Sequence, residues 1–313
     1  MKTDLGHLPQ AKQRELRHVV DVLYEEFERA VRPATSESER RGRIYKIILF
    51  GSYARGGWVD ERNVGKGYQS DYDILVIVNQ KAFTDVPRYW LAAEDRLMFD
   101  KKIKTPVELI VHTLGDVNQQ LKQGNYFFKD IREQGIALYE FEGTKASGNR
   151  KHTLAEPGNL SPEEAYGMSK QYYEHGRPFA AHFLKTARSL SNKDDQQSQR
   201  YAAFELHQAA EHAYRTVLLT LTLYSPAEHN INKLRGLAES LDRRLVEAWP
   251  RGRKPFDRYF QLLRRAYVEA RYSPHYEIAR EELDWLGERV AHLHDLAETI
   301  CRERLDELTR ACS

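Results

Sequence analysis

Leu16, Val19, Val20, Leu23, Phe27 and Val31 recur in steps of three and four. That period puts them on one face of a helix over roughly residues 9–32. The next apolar run, IYKIILF from Ile44 to Phe50, is β-branched and aromatic and stops at Gly51, which predicts a first strand. Asp71 to Val78 predicts a second strand, and Pro106 to His112 (PVELIVH) a third with alternating faces. A helix over about Val86 to Lys101 joins these two, and another follows Gly115. NYFFKDIREQGIALYEF then predicts a short helix and a last strand ending near Phe141.

The pattern changes at Gly143. As far as Asn159 the chain is rich in Gly, Ser, Lys and Pro and has no apolar period, as a linker does. Beyond it only helical spacing appears. Ser161-Pro162-Glu163-Glu164 has the form of a helix start, with an N-cap, a proline at the first position and acids in the first turn. Phe204, His207, Glu211, Tyr214, Leu218 and Leu221 form one stripe of a later helix, widened by Ala203, Leu206, Ala210, Ala213 and Val217. Further helices are predicted over Ile231–Trp249, Pro255–Arg271 and Ile278–Leu308. The expected organisation is an α+β domain with a small mixed sheet over 1–142, a linker over 143–160, and an all-α antiparallel bundle over 161–313.

Composition narrows the function classes. The chain has 313 residues, 41% hydrophobic and 30% charged, enough for about two globular domains. A net charge of +2 gives no global field for nucleic acid, so any such contact needs a local patch. Cys301 and Cys312 cannot form a disulfide framework, and no apolar run approaches a membrane span. With no signal-peptide pattern in MKTDLGHLPQ, a cytoplasmic protein without membrane contact is expected.

The stretch FGSYARGGWVDERNVGKGYQSDYDILVIV, Phe50 to Val78, carries the chemistry. A Gly-Ser turn follows one core strand, and two aspartates one residue apart open the next. Burying charge beside a core strand is costly unless the charge holds a cation or partner. Asp71 and Asp73 point to the same face of a strand, with Tyr72 turned away. Their hard oxygens suit Mg²⁺, which also takes substrate phosphate oxygens. Glu108 can bring a third carboxylate from the neighbouring strand, and two metals about 4 Å apart could clamp attacking and leaving oxygens. Gly51 lets backbone approach phosphates, Ser52 offers a hydroxyl and an N–H, and a helix starting there would favour anions.

Gly51-Ser52, Asp71-x-Asp73 and the later Glu108, in this order on strand end, strand and strand, resemble the DNA polymerase beta-like nucleotidyltransferase superfamily, in its minimal bacterial branch. The resemblance implies Mg²⁺-dependent transfer of a nucleoside monophosphate, AMP from ATP, with release of pyrophosphate. It gives Asp71, Asp73 and Glu108 catalytic and metal-holding roles, and Gly51, Ser52 and Arg55 contact with the nucleotide. The loop over residues 53–70, with Gly56, Gly57, Trp58, Gly65, Lys66 and Gly67, is longer than in compact members and is expected to cover the nucleotide or meet an acceptor.

AAFELHQAAEHAYRTVLL, HNINKLRGL and AYVEARYSPHYEI resemble a HEPN domain of the nucleotide-binding branch. This covers about Ser161 to Ile278, and a minimal nucleotidyltransferase fused to HEPN is a known bacterial arrangement. The resemblance implies a domain that binds nucleotide or acceptor and can form a homodimer. It also opens a reading as a ribonuclease toxin regulated by the first domain, as in toxin–antitoxin pairs. Arg271 and His275 are the candidate nuclease pair, but only Tyr272, Ser273 and Pro274 separate them, a shorter spacing than in the family's ribonucleases. Related systems attach AMP to a tyrosine beside this motif, a place taken here by Tyr272 and Tyr276. A third reading, an antibiotic nucleotidyltransferase, would need an acidic pocket for a cationic drug.

Other residues have plainer readings. His207 and Glu211, four apart on one helix face, read as a polar contact inside the bundle rather than a metal site. His292 and His294 diverge on a helix and read as surface residues, and His229, just before a helix, reads equally as a cap or packing residue or as a binder. Arg251 to Arg271 holds seven basic residues against Asp257 and Glu269. Phe256, Tyr259, Phe260, Leu263 and Tyr267 should face the core there, leaving the arginines outward for phosphates or for acids elsewhere. The acceptor expected is a protein, an RNA or a small molecule.

Overall fold

The computed structural model describes all residues except 34–35, 61–68, 143–151, 228, 252–253 and 313. Its described residues divide into two compact units, one ending at Asn159 and the other running from Leu160. Gly65, Lys66 and Gly67 of the expected loop, Arg253 of the basic segment, and most of the Gly/Ser stretch lie outside the described residues.

In the first unit, helix α1 (Gln10–Val31) and the helical turn α2 (Glu37–Arg40) lead into strand β1 (Ile44–Phe50). A one-turn helix, α3 (Gly51–Arg55), and strand β2 (Tyr72–Val78) follow. Helices α4 (Val86–Tyr89) and α5 (Leu91–Phe99) cross over to β3 (Val107–Thr113), then α6 (Leu114–Lys122), α7 (Tyr126–Gln134) and β4 (Ile136–Glu140) complete the unit. The sheet order is β3-β2-β1-β4, with β2 and β3 parallel and β1 antiparallel to both its neighbours. Leu16, Val19, Leu23 and Phe27 of α1 cover one face, packing with Ile74, Val76 and Val78. β2 is buried along its whole length, so both its faces are covered.

Three expectations for this unit need correction. The helix expected over Val86–Lys101 is two helices joined at Trp90, whose indole N–H donates to the Phe83 carbonyl at 2.8 Å and whose ring stacks on Phe27 at 5.1 Å. Burying that large ring in the core takes precedence over one straight helix. Asp71 lies just before β2 rather than inside it. Residues 152–159, assigned to the linker by composition, are strapped to the first unit: His152 stacks on Tyr45 at 3.8 Å, and the Ala155 N–H donates to Asn118 Oδ1 at 2.7 Å.

The second unit is all helical. Its long helices are α8 (Pro162–Ser191), α9 (Gln196–Thr222), α10 (Ile231–Leu241), α11 (Lys254–Tyr272) and α12 (Arg280–Ala311). Ser161 caps α8 with Glu164 in a capping box. α9 is the central helix, with Leu206, Ala210, Ala213, Tyr214 and Val217 buried on the predicted stripes. The helix expected over Ile231–Trp249 stops at Leu241, where Asp242 caps a separate 3-10 segment, Arg243–Ala248.

Candidate functional site

β1 ends at Phe50, which pairs with Asp73 of β2, and Asp73 in turn pairs with Glu108 of the parallel β3. Residues in register on neighbouring parallel strands project to the same face. The sheet therefore sets Asp73 and Glu108 side by side on the face opposite α1, while Tyr72 turns into the α1 side. Gly51 closes the third edge. Its φ is +70°, and a Cβ placed on it would lie 2.0 Å from Asp73 Oδ2. Glycine is required there for conformation and for space alike. Ser52 follows in α3, and among the described residues its hydroxyl has no hydrogen-bond partner.

Like charges crowd this corner. Asp73 is 3% exposed, and its carboxyl is held well above the usual carboxylate range. Burial is the largest cause, followed by the like charges of Asp71 and Glu108; Arg55 opposes them. Arg55 is itself engaged with Asp130 at 3.0 Å. Among the described residues, no three His, Cys, Asp or Glu side chains are already closed around a common point. The acids stand as neighbours that repel one another. A helix does begin at Gly51, and with only five residues α3 confines any field at its terminus to this turn.

A second layer behind β2 went unread in the sequence. Glu15 of α1, buried, accepts the backbone N–H groups of Lys104 and Thr105, the latter at 2.7 Å, and the Tyr72 hydroxyl at 3.3 Å. Lys12 sits over the rings of Tyr53, Trp58 and Tyr72 at 5.7, 6.0 and 5.7 Å. This network fixes α3 and the entry to β2, the two segments that carry Ser52 and Asp73. The available signal was Glu15 at helical spacing from Val19 and Val22, a charge on a buried face.

In the helical unit, Glu211 is the centre of a polar network. It accepts from Arg215 Nε at 3.0 Å, His229 Nδ1 at 3.1 Å and Gln208 Nε2 at 3.2 Å. His207 lies 3.8 Å from it, with burial pushing its imidazole down to about 3, and His207 Nε2 lacks a partner among the described residues. The polar-contact reading of His207 and Glu211 fits this arrangement. The packing reading of His229 fits, since its ring stacks on Tyr267 at 4.6 Å, while Asn230 caps the helix that follows. Arg215 was not singled out, although its place four residues after Glu211 was a legible signal.

Among the described residues, no hydrogen bond or ion pair joins Arg271 to His275. Arg271 lies over the rings of Phe204, Tyr267 and Tyr272 and donates through Nε to the Tyr267 carbonyl at 2.7 Å; His275 is exposed, past the end of α11. The two tyrosines differ sharply: Tyr272 is 72% exposed, whereas Tyr276 is 1% exposed and donates its hydroxyl to the Leu262 carbonyl at 3.0 Å. In the basic segment, Arg251, Arg258 and Arg265 pair with Glu239, Glu282 and Glu269. His294, expected at the surface, is half-buried and donates to the Ala209 carbonyl at 3.1 Å, because it shares a helix face with Val290 and Ala297.

Residues 178–301 match the model of the HEPN domain, so the helical unit holds a HEPN domain. A stretch of 41 residues, 13% of the chain, is 54% identical to a Methanocaldococcus jannaschii protein that bears the provisional name protein adenylyltransferase. The match spans a third of that relative's length (33%). A nucleotidyltransferase-like protein from Exiguobacterium sibiricum aligns over 90% of this chain and 79% of its own, at 16% identity and a TM-score of 0.27, too loose a likeness to support an argument.

Proposed function

We propose that the chain is a Mg²⁺-dependent nucleotidyltransferase that moves a nucleoside monophosphate, AMP from ATP, to a protein, RNA or small-molecule acceptor. The HEPN domain is read as the part that binds nucleotide or acceptor. One observation carries the reading: the Asp73–Glu108 register, with Asp71 two residues away and Gly51 pressed against Asp73.

The donor set fits a hard divalent cation. Asp73 is a buried carboxylate beside two further carboxylates, a burden of like charge that oxygen-seeking Mg²⁺ relieves. Asp71, Asp73 and Glu108 would hold the ion. When bound, it supplies charge neutralisation on the phosphates and lowers the pKa of an acceptor hydroxyl. The chain's own residues do the positioning. Ser52 offers its free hydroxyl to a phosphate oxygen, and Gly51 leaves the turn bare enough for phosphates to approach. Arg55, between Asp130 and the acids, orients charge at the rim. Tyr72, fixed by Glu15 on the far face, keeps the strand entry from shifting under the load.

The decisive experiment is incubation with α-labelled ATP, GTP, CTP and UTP in turn, with and without Mg²⁺, followed by intact mass and gel analysis of protein and RNA. Label transfer that requires Mg²⁺ and Asp73 supports the proposal. Absence of transfer with every triphosphate and with total cell RNA and protein as acceptors would overturn it.

A further inference from the structure

Helices α8, α9 and α12 of the HEPN-containing unit leave between them a cavity of about 520 Å³. The volume lies within the range of small-molecule sites, about 300–1,000 Å³. Its origin is in the sequence: Ala180 and Ala181 of α8, Ala213 of α9, and Ala291 and Ala297 of α12 all end at Cβ where the helices face one another. Bulkier residues there would fill the space, as Leu206, Val217 and Leu293 do elsewhere in the bundle.

The charges around the cavity are arranged unevenly. Arg177, Lys185 and Arg188 of α8 line one wall, in steps that keep them on one face; Asp295 and Glu298 of α12 line the other. Glu298 is already satisfied, by Arg177 at 3.0 Å and Arg302 at 2.6 Å. Among the described residues, the side chains of Lys185 and Arg188 have no acid partner and no hydrogen bond. His294, also in the lining, adds no positive charge, because burial holds its imidazole below the usual histidine range. Three cations against two acids leave the cavity net positive, with the unpaired cations gathered at one end. Arg188 also lines an adjoining hollow of about 450 Å³ that continues along α8 and α12.

We infer that this cavity binds a small anionic molecule with an apolar body. Its phosphate or carboxylate group is held by Lys185 and Arg188, and its body lies on the alanine wall. The site belongs to the helical unit alone and does not depend on the transferase reading, so either can fail without the other. An unpaired Lys–Arg pair beside apolar surface recognises charge and bulk together, which neither a plain basic face nor an empty apolar slot would do.

The test uses the full chain and the fluorescent anion anilinonaphthalene sulfonate, with neutral N-phenylnaphthylamine as its uncharged counterpart. Two variants at exposed positions leave the core untouched: the double variant Lys185→Glu/Arg188→Glu, and Ala181→Trp, which fills the cavity mouth. Circular dichroism and light scattering establish fold and oligomeric state for each. The wild type should bind the sulfonate at one saturable site per chain. The charge variant should bind it about tenfold more weakly while retaining the neutral probe. Ala181→Trp should lose both probes. Displacement by octanoate but not octyl phosphate assigns the head group as a carboxylate, and the reverse as a phosphate. Sulfonate binding that is absent, multiple, or equal in all three proteins overturns the inference. So does an Ala181→Trp chain that changes oligomeric state in place of probe binding, since the groove would then be a contact between copies.

Discussion

Gly51 and Asp73 fit against each other without room for a single methyl group: a Cβ on the glycine would stand 2.0 Å from the aspartate's Oδ2. The turn and the acid, 22 positions apart in sequence, thus form one corner. Gly51 sits at φ +70°, where an L-residue costs about 1–2 kcal/mol, and any side chain must also displace a buried carboxylate. Gly51→Ala should therefore lower stability by at least that amount, and Gly51→Val by more, with nucleotide binding lost in both. Urea unfolding and calorimetric titration with ATP check this; a valine variant that binds ATP like the wild type would reduce the turn to a connector.

The acids should matter for transfer and not for folding. Asp73→Asn and Glu108→Gln are each expected to abolish labelled-AMP transfer, because each removes a charge that phosphate and metal require. Without Mg²⁺, Asp73→Asn should keep or raise the melting temperature, since a buried charge beside Asp71 and Glu108 is gone. Transfer surviving in both variants would remove this corner from the chemistry.

His207 makes stability depend on pH. Its folded value, about 3, is depressed below the unfolded one near 6.5, so the unfolded chain takes up the proton first on acidification. The stability linked to its neutral ring is fully present above pH 6.5 and is lost progressively as pH falls toward 3. The limiting slope is about 1.4 kcal/mol per pH unit. His207→Gln should make the fall between pH 6.5 and about 4 shallower by roughly that slope, whatever its effect at neutral pH. Unchanged pH dependence in urea melts of the variant would show that the ring titrates alike in the folded and unfolded chain.

The two tyrosines beside α11 should separate cleanly. Tyr276→Phe removes a buried hydrogen bond to the Leu262 carbonyl and should cost about 1 kcal/mol. Tyr272→Phe, at an exposed ring, should cost little. An AMP adduct in this segment, if transfer is to the chain itself, belongs on Tyr272; peptide mass spectrometry that finds it on Tyr276 would contradict the burial seen here.

Much of this protein was legible in its residue pattern, because period and turn chemistry act locally. The IYKIILF run specifies β1 to the residue, and the stop at Gly51 and the capped start at Ser161 mark where α3 and α8 begin. Gly-Ser, the Asp71–Asp73 pair and Glu108 were readable as one candidate set from their types and order. The break at Trp90 was not, because a buried indole and its bond to Phe83 override a continuous helical period.

Relationships between distant segments came from tertiary packing alone. The parallel β2–β3 register places Glu108 beside Asp73, and a slip of one residue would have turned it to the other face. Burial beside two like charges makes Asp73 an unusual acid, a property of its surroundings and not of the motif. Glu15 behind Tyr72, the contrast between Tyr272 and Tyr276, and the cavity left by five alanines all arise where helices and strands meet. Short-range periodicity was enough to specify the elements and the chemical groups they carry. Which groups came to share a face, a charge or an empty space was settled by packing between segments far apart in the chain, where no local period reaches.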